Sequence, residues 1–516
     1  MKPILQPGRN CTGFFQVEES GLLVDARDYY RAFYRTAGAA RNYILLAGWQ
    51  FDSTARLLRG ADAEQVDSPI DFLAYLEYLC RNKPQLKIYI LAWNYTMLYL
   101  SDREWFLEWK FRRAGRGRIH FLYDKFHAIG SCHHQKIAII DGRVGFAGGI
   151  DFSEGRWDDA NHCHDNPDRV DSKGNPYEPR HDLQAWFSGH AVRELVNQFL
   201  ERWAVVAGEK PILPPPPDDI RYEIGPYLAI PASFIAFSRT AARTILPIQE
   251  SVEEIRSLYR DAITAAASLI YIENQYFSSQ AVYQALVDRM RTAALPKLQI
   301  VIVLPRKMHA YFEEMSLGLT QMKMTRSLRR VAEETGHALG IYWTVANSAE
   351  GTEEQTYIHS KLLLVDDRFL SVGSANTTNR SMGLDSELNT SWEADPGKKD
   401  DLFKAIRRVR VTLLAEHAGL RRAAACRPLY RPGGLTCSLD RLTESGRYRL
   451  RRYDPDYALG ESGWLHELGA NELILDPEKP IIEENVFEHL QRYKTGLLTR
   501  MILFLNEWFR RKKLKR

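Results

Sequence analysis

Cysteine is scarce in this chain, which has six among 516 residues and no CxxC pair or zinc-ribbon spacing. We therefore expect free thiols, as in a reducing compartment, at Cys11, Cys80, Cys132, Cys163, Cys426 and Cys437. No run of about 18 apolar residues is present, and the amino terminus lacks an apolar segment followed by a small-residue cleavage site. These absences favour a cytoplasmic or peripheral membrane location, with secretion without a cleaved signal peptide as the alternative.

A strong excess of charge of one sign is also missing, because 69 basic residues face 65 acidic residues and leave a formal net charge of +4. Nucleic-acid-binding proteins usually carry a strongly basic face, so this balance argues against such a partner. Hydrophobic residues make up 45% and charged residues 26%, the balance of a soluble globular protein. A chain of this length can bury a large core without a metal or disulfide to hold it.

The chain contains an internal duplication of three blocks in the same order. Residues 43–53, YILLAGWQFDS, resemble residues 269–279, LIYIENQYFSS. Two continuous apolar runs follow, LKIYILAW and LQIVIVLP, which are typical of strands inside a covered sheet. The third block is HHQKIAIIDGRVGFAGGID in the first half and IHSKLLLVDDRFLSVGSAN in the second, and it places His134 and His359 at a separation of 225 positions (359 − 134 = 225).

Helical patterns lie between these strand-like blocks, with apolar residues at three-to-four spacing over 70–82, 190–205 and 250–268. The alternation of strands and helices predicts the α/β class, with one sheet in each half. The stretch PILPPPP at 211–217 cannot continue a helix or a strand and is the natural linker. The predicted division is a first half at 1–210, a connection at 211–245, a second half at 246–420 and a carboxyl-terminal extension at 421–516.

The third block places a histidine and a lysine on one side of a strand in each half. His134 and Lys136 are two residues apart at the start of an apolar run, and His359 and Lys361 repeat the pattern. Two lysines supply positive charge for phosphate oxygens, and two histidines titrate near neutrality. One imidazole can attack phosphorus while the other protonates the leaving alkoxide, so a covalent phosphohistidine forms without a metal or cofactor. Small residues nearby let a bulky anion approach the backbone, namely Gly148, Gly149 and Ser374.

Two HxKxxxxD motifs are the hallmark of the phospholipase D superfamily, which this sequence resembles from about residue 10 to 420. The resemblance is closer to eukaryotic-type phospholipases D than to the nuclease branch. It is carried further by GGID at 148–151 with GRWD at 155–158, PRHD at 179–182, YIENQYF at 271–277 and RSMGLDSE at 380–387. The resemblance implies two α/β halves, each with a mixed sheet between helices, around one site at their interface.

The resemblance also implies roles for the two histidine and lysine pairs. His134 is the expected nucleophile, and His359 is the expected general acid and then general base. Lys136 and Lys361 are expected to bind phosphate. On the residues alone the two histidines are equivalent, so the order of attack rests on the resemblance.

Further candidates surround these pairs. Glu387 is expected to hold one imidazole in its tautomer, and Asp158 is a weaker candidate for the other. Asn376 stands where the family places an amide on the phosphate, whereas the first half has Asp151 at the equivalent position. The acidic residues of the two motifs lie at turns one strand away, and they either hold those turns or act in catalysis: Asp141 and Asp366.

These features predict a phospholipase D that hydrolyses the phosphatidylcholine or phosphatidylethanolamine class to phosphatidic acid and a free head-group alcohol, with head-group transfer possible. The expected partner is membrane phospholipid, contacted peripherally by a monomer, and no nucleic acid. Two alternatives stay open. One is a phosphatidyl transferase of the cardiolipin-synthase kind, a group that usually has amino-terminal hydrophobic spans, and the other is a nucleic-acid phosphodiesterase.

Three features lie outside this scheme. HCHD at 162–165 has metal-binding residue types, but without a second cluster in range a surface loop is expected. Aromatic residues between Trp93 and Trp109 are expected either to cover an acyl-chain entrance or to pack in the core. The segment 497–516 ends in six basic residues among its last seven, and it is expected either to lie on an anionic lipid surface or to pack on the body with a solvated tail.

Overall fold

The computed structural model describes residues 2–94, 104–128, 130–245, 248–308, 317–346, 353–455 and 476–480. The first of two large sheets contains β2 (Ser20–Val24), β3 (Tyr43–Gly48), β4 (Lys87–Trp93), β5 (Ile119–Asp124), β6 (Lys136–Ile140), β7 (Val144–Gly148), β9 (Leu183–Ser188) and β10 (Leu228–Ala229). Their order is β10-β2-β9-β7-β6-β3-β4-β5. Strands β3, β4 and β5 are parallel, and the others pair antiparallel, so the sheet is mixed.

The second large sheet repeats this arrangement. Its strands are β1 (Gly13–Gln16), β11 (Phe234–Ala241), β14 (Val252–Glu253), β15 (Leu269–Glu273), β16 (Gln299–Val303), β17 (Ala338–Thr344), β19 (Leu362–Val365), β20 (Phe369–Gly373), β21 (Glu387–Glu393) and β22 (Leu450–Arg452). They follow the order β1-β11-β21-β20-β19-β15-β16-β17-β22, with β14 on β11. Here β15, β16 and β17 are parallel, and β19, β20 and β21 are antiparallel, as in the first sheet. The duplication predicted from the sequence is therefore present in the topology.

Two short ribbons complete the strands. β8 (Arg180–His181) pairs in parallel with β18 (Tyr357–Ile358), which joins the two halves directly. β12 (Thr244–Ile245) pairs with β13 (Ile248–Gln249). The ribbon between the halves ends beside the histidine of the second motif, so it bears on the geometry of the site.

The helices cover the outer faces of the sheets and fill the space between them. They are α1 (Asp25–Ala39), α2 (Ala61–Glu64), α3 (Phe72–Asn82), α4 (Leu107–Gly115), α5 (His190–Ala207), α6 (Glu254–Thr264), α7 (Gln280–Arg291), α8 (Leu319–Thr335), α9 (Asn379–Gly383), α10 (Asp401–Ala418), α11 (Ala423–Cys426) and α12 (Leu435–Glu444), with a 3-10 turn at Arg427–Tyr430. Helices α1, α3 and α4 pack on the first sheet, and α6, α7 and α8 pack on the second.

The buried strands have a two-residue alternation between two cores. In β3, Leu45 and Ala47 face a central core shared by both halves, whereas Ile44 and Leu46 face the outer core of the first half. Burial on both faces explains why these strands appear in the sequence as continuous apolar runs. The shared core fixes the two halves against each other and places their motif strands at one interface.

The division into segments differs from the predicted boundaries at three edges. β1, from the first predicted segment, is an edge strand of the second sheet, because it pairs with β11 from the predicted connection. β10 from that connection instead pairs with β2 in the first sheet. β22, from the predicted extension, pairs with β17. Sheet edges are completed by strands distant in sequence, which local composition does not reveal.

All six cysteines, each within the described ranges, carry free thiols. In the part of the chain that the structure describes, no helix is both long and apolar enough to cross a bilayer. The predicted amphipathic segment 497–516 lies outside the described residues, as do Tyr95 and Tyr99 of the aromatic-rich stretch.

Candidate active site

His134 lies immediately before β6 and is held by groups of the other half. Its Nδ1 is 3.0 Å from Glu387 Oε2 and 3.0 Å from the carbonyl oxygen of Ser374. Ser381 Oγ donates to Glu387 Oε1 at 2.7 Å, and Ser374 Oγ donates to Oε2, so the carboxylate itself is fixed. With Nδ1 occupied, Nε2 is the nitrogen of His134 left for chemistry.

His359 is held in the same way by the first half. Its Nδ1 lies 2.6 Å from Asp182 Oδ2, and the Asp182 carboxylate also accepts the Leu183 N–H at 2.8 Å. The side chains of the two histidines retain exposures of 15% for His134 and 8% for His359, so neither ring is fully closed off from solvent. Each half thus orients the imidazole of the other half with a buried carboxylate.

Backbone contacts make this exchange symmetric. The His134 N–H donates to the Ser386 carbonyl at 2.9 Å, and the His359 N–H donates to the His181 carbonyl at 2.8 Å. Ser386 precedes Glu387 and His181 precedes Asp182. The two halves therefore hold each other's motif histidine through equivalent backbone hydrogen bonds as well as through carboxylates.

The two lysines lie beside the histidines at the ends of β6 and β19. Lys136 Nζ is 3.1 Å from Asp151 Oδ2 and donates to the His134 carbonyl at 2.9 Å. Lys361 Nζ donates to Gln275 Oε1 at 3.1 Å and to the His359 carbonyl. Both ammonium groups are buried, and they leave a concentration of positive charge that an anion can neutralise.

Burial and this positive charge change the acidity of the site. Burial lowers the pKa of His359 well below its usual value, and the charges of Lys361, Arg180 and Arg156 lower it further. Burial likewise lowers the pKa of Lys361 to about 7, with Lys136 and Arg180 acting in the same direction. In the site without an anion, His359 is therefore neutral at pH 7, with its Nδ1–H directed to Asp182 and its Nε2 lone pair available.

Anion binding is accordingly expected to weaken as the pH rises through about 7, because Lys361 then loses the proton that attracts the anion. Tungstate, which stays a dianion over this range, should bind with a dissociation constant that rises by up to about tenfold per pH unit above pH 7. Calorimetric titration from pH 6 to 9 measures this. The Lys361→Met variant should bind more weakly at pH 6 and with a shallower slope, and an unchanged slope in that variant would contradict the assignment.

Two glycines, Gly148 and Gly149, leave room for the Asp182 carboxylate to lie beside His359. A Cβ on Gly149 would lie 2.2 Å from Asp182 Oδ1, so any side chain there would displace the group that holds His359. A Cβ on Gly148 would meet the Leu183 carbonyl at 2.6 Å. Both glycines are thus needed for the packing of β9 and of Asp182, which immediately precedes it.

Ser374 and Asn376 lie in the equivalent place of the second half. Ser374 contributes its carbonyl to His134 and its hydroxyl to Glu387. Asn376 is buried, and its Oδ1 has no hydrogen-bond partner within the described part of the chain. Asp151 accepts the Trp49 N–H at 2.9 Å and pairs with Lys136, so its carboxylate is already engaged in holding a lysine.

The positions of Asp141 and Asp366 favour the first of their two predicted roles, which is to hold the turns, over a direct role in catalysis. Asp141 accepts the backbone N–H groups of Arg41, Asn42 and Tyr43 at 2.7–2.8 Å, and Asp366 accepts those of Ala267, Ser268 and Leu269 at the same distances. Each lies at the far end of its motif strand from the lysine, in a turn with positive φ. They bind the start of the neighbouring strand and do not touch the histidines.

The assignment of Asp158 to the second histidine is also corrected. Its carboxylate contacts His162 Nδ1 at 2.9 Å, Arg169 at 3.1 Å and the Arg180 N–H at 2.8 Å. His162 is only 1% exposed, so HCHD does not form the expected surface loop at this residue. In the 153–179 connection, which we call the inward-folded connection, the side chains of Trp157, Asp158, His162 and Arg169 are buried, whereas most of its other residues are partly or fully exposed.

Sequence reasoning missed Asp182, Arg156 and Arg180. The repeat contains a signal for Asp182, because Gly148 pairs with Gln184 and Gly373 pairs with Asn389, two residues after Asp182 and Glu387. Their separation is 205 rather than 225, since the first half has a longer connection before this strand. An alignment of the two halves at the constant offset of 225 therefore does not show that Asp182 is equivalent to Glu387.

A family profile described as "Cardiolipin synthase, PLD-like domain" matches residues 259–407. The chain is 26% identical over 479 residues to "Phospholipase D A" of Dictyostelium discoideum, covering 77% of this chain and 35% of that protein. It is 24% identical over 500 residues to "Phospholipase D1" of Saccharomyces cerevisiae, covering 77% of this chain and 28% of that protein. It is also 26% identical over 284 residues to "Cardiolipin synthase 2" of Staphylococcus epidermidis, covering 54% of this chain and 49% of that protein. The chain spans about a third of the length of the phospholipase D relatives.

Among solved structures, the crystal structure of phosphatidylserine synthase from Haemophilus influenzae matches with a TM-score of 0.51 at 11% identity. The match covers 84% of this chain and 95% of that chain. At this identity the similarity concerns the fold alone, a mixed α/β architecture over nearly the whole of both chains.

Proposed function

We propose that this chain, a member of the phospholipase D superfamily, is a phospholipase D that hydrolyses the distal phosphodiester of glycerophospholipids. The products are phosphatidic acid and a free head-group alcohol, with phosphatidylcholine or phosphatidylethanolamine as the substrate class. The observation that carries this proposal is the reciprocal pairing of His134 with Glu387 and of His359 with Asp182 across the two halves.

In the first step, His134 Nε2 attacks phosphorus, and the bond between phosphorus and the head-group oxygen breaks. His359, protonated once the anionic phosphate offsets the surrounding positive charge, gives its Nε2 proton to the leaving alkoxide. Lys136 and Lys361 bind the non-bridging oxygens as charge develops on them. A phosphatidyl group is then covalently bound to His134.

In the second step, neutral His359 accepts a proton from water, and the resulting hydroxide attacks phosphorus. The bond between phosphorus and His134 Nε2 breaks, and phosphatidic acid is released. An alcohol can replace water at this stage, since both are neutral oxygen nucleophiles that can attack the covalent intermediate. Head-group transfer is therefore part of the same proposal.

The test is an incubation of the purified chain with phosphatidylcholine, phosphatidylethanolamine, phosphatidylglycerol and single-stranded DNA, each with and without ethanol. We expect phosphatidic acid, with phosphatidylethanol appearing at its expense when ethanol is present. Cardiolipin formed from phosphatidylglycerol would favour the phosphatidyl transferase, which the match to a cardiolipin synthase profile keeps as the second candidate. Cleaved DNA with intact lipid would overturn both.

An apolar patch supports a lipid surface as the substrate. Trp105, Phe106 and Trp109, which we call the aromatic patch, are 73%, 77% and 57% exposed. They follow Glu104, whose carboxylate accepts the Ser53 N–H at 2.7 Å and so ties the patch to the chain after β3. The site lies at this same carboxyl end of β3, because Lys136 begins the antiparallel neighbour β6. Exposed aromatic residues beside a site suit insertion at a bilayer interface.

Replacing the three aromatic residues of the patch by serine is expected to lower activity on phosphatidylcholine vesicles by about tenfold or more, because the rings no longer partition into the interface. Activity on a monomeric short-chain phosphatidylcholine should be unchanged. Ile212→Ser, at a side chain that is 94% exposed elsewhere on the surface, is the matched control. Equal losses on vesicles and on monomers would show that the patch acts in folding or catalysis instead.

A further inference from the structure

A buried cluster of histidines and carboxylates lies behind the active site, and the proposed reaction does not use it. Its members are Asp25 at the start of α1, His162 in the inward-folded connection, His181 in β8 and Glu416 near the end of α10. The first three come from the first half and Glu416 comes from the second. One nitrogen or oxygen atom from each of the four lies within 4.8 Å of all the others.

The separations between these nitrogen and oxygen atoms are compatible with a four-coordinate metal site. His181 Nδ1 lies 2.8 Å from Glu416 Oε1 and 3.2 Å from Asp25 Oδ1. His162 Nε2 lies 3.2 Å from the same Glu416 oxygen and 3.6 Å from Asp25 Oδ2. Ligands of a tetrahedral zinc ion with bonds near 2.0–2.1 Å are about 3.3 Å apart, in the middle of these distances.

The outer nitrogens of both imidazoles are already directed to carboxylates. His162 Nδ1 is 2.9 Å from Asp158 Oδ2, and His181 Nε2 is 3.1 Å from Glu273 Oε2. This is the carboxylate–histidine arrangement that fixes the tautomer of a metal-ligating histidine and leaves its inner nitrogen as a lone-pair donor. Without an ion, each imidazole would need protons on both nitrogens to satisfy the carboxylates around it.

Two further observations concern Asp25. Its Oδ2 is buried and accepts no hydrogen bond within the described part of the chain, although it is directed into the cluster. Its backbone has φ of +63°, a strained conformation for a residue that is not glycine. A buried carboxylate oxygen that has no hydrogen bond and faces His162 Nε2 at 3.6 Å leaves a coordination position for a ligand at this point.

We propose that Asp25, His162, His181 and Glu416 bind one divalent transition-metal ion of the zinc type. Two neutral imidazoles and two carboxylates balance its double charge, and four protein ligands close the site in the manner of a structural centre. A surface cavity of about 380 Å³ is lined by Glu416, Asn161 and Arg449, so it reaches one of the four residues. This proposal is independent of the lipid reaction and adds a centre that the sequence analysis, which expected no metal, did not assign.

The position of the site gives the ion a structural role. It would join α1, the inward connection and β8 of the first half to α10 of the second. The His181 carbonyl accepts the His359 N–H, and the next residue, Asp182, holds the His359 ring. The ion would therefore fix the ribbon between the halves that positions the imidazole of the second motif.

Metal analysis of the full chain, purified without a histidine tag and dialysed against a weak chelator, tests the proposal. We expect about one zinc per chain by mass spectrometry of the elements, and an X-ray absorption spectrum with two imidazole nitrogens, two oxygens and no sulfur. His162→Ala should lose the metal, and Asp158→Asn should lower the zinc affinity by about 10- to 100-fold. His164→Ala, the matched control two residues away, should retain both content and affinity.

The wild-type chain decides the question even if a variant fails to fold. Less than about 0.1 metal per chain after incubation with Zn²⁺, Mn²⁺ and Co²⁺ in turn would overturn the proposal, since a closed four-ligand site binds at least one of them. Retention of metal by a folded His162→Ala variant would also overturn it. In either case the cluster is a hydrogen-bonded ionic network between the halves, and the proposed lipid reaction is unaffected.

Discussion

Replacing either motif histidine by asparagine is expected to lower kcat for phosphatidylcholine hydrolysis by about 10⁵-fold, because each removes one of the two groups on which every step depends. His134→Asn removes the nucleophile, and His359→Asn removes the proton donor and acceptor. The two act as a unit around one phosphorus atom. The double variant is therefore expected to be no slower than either single variant, within about tenfold.

His133→Asn is the matched control for this prediction. His133 is adjacent to His134 in sequence, but its Nδ1 lies 2.7 Å from Ser386 Oγ and its Nε2 lies 3.2 Å from Asp124, away from Glu387. Its substitution should leave kcat within about tenfold of the wild type. Rates measured on folded protein, checked by circular dichroism, decide the matter. Additive losses in the double variant would show that the histidines act in separate steps at separate places.

Removing one charge from either orienting carboxylate is expected to lower kcat by about 10³-fold, somewhat less than the loss of about 10⁴-fold that a wrong histidine tautomer causes in a serine-protease triad. In Asp182→Asn, the amide can present an N–H to His359 Nδ1, which favours the tautomer with its proton on Nε2 and removes the base needed in the second step. In Glu387→Gln, two serine hydroxyls that donate to the carboxylate compete for one amide oxygen. KM should change little, because neither carboxylate is proposed to touch the lipid.

Asp141→Asn separates orientation from folding. This carboxylate is fully buried and accepts three backbone N–H groups and the Tyr222 hydroxyl. Its neutralisation is expected to lower the free energy of unfolding by about 2–3 kcal/mol, the value of hydrogen bonds to a buried charge. The kcat of the folded fraction should be unchanged. A loss of kcat of about 10³-fold in Asp141→Asn, with the free energy of unfolding unchanged, would show that Asp141 takes part in catalysis.

Much of the architecture could be predicted from the sequence because the signal is repeated. Strands β3 and β15 are apolar on both faces, and each stands at the same place before its HxK block, so two weak local signals reinforce each other. The helical patterns at 70–82, 190–205 and 250–268 correspond to α3, α5 and α6. Edge strands such as β1 could not be predicted in this way, since their pairing depends on which sheet edge is free in three dimensions.

The site residues could be predicted where a suitable residue type recurs at the same spacing in both halves. They could not be predicted where the two halves have connections of different length. The histidine and lysine pairs lie at the starts of their motif strands, and Glu387 contacts an imidazole as expected. Asp182 was missed because its distance from the first motif includes the long inward-folded connection. The same connection explains why the surface-loop prediction for His162 was wrong. The burial of His162 depends on its contacts with Asp158 and Glu416 rather than on its neighbours in sequence.

In the proposed reaction, two imidazoles share one phosphorus atom, and one of them becomes covalently bound to it. A phosphatidyl ester of p-nitrophenol, labelled at phosphorus, needs no acid to release its head group, so His359→Asn should complete the first step and stall before the second. We expect a burst of about one p-nitrophenol per chain, and an acid-labile label on the peptide that contains His134, which His134→Asn abolishes. Release of p-nitrophenol without a burst, or the absence of label on the peptide that contains His134, would contradict the covalent mechanism.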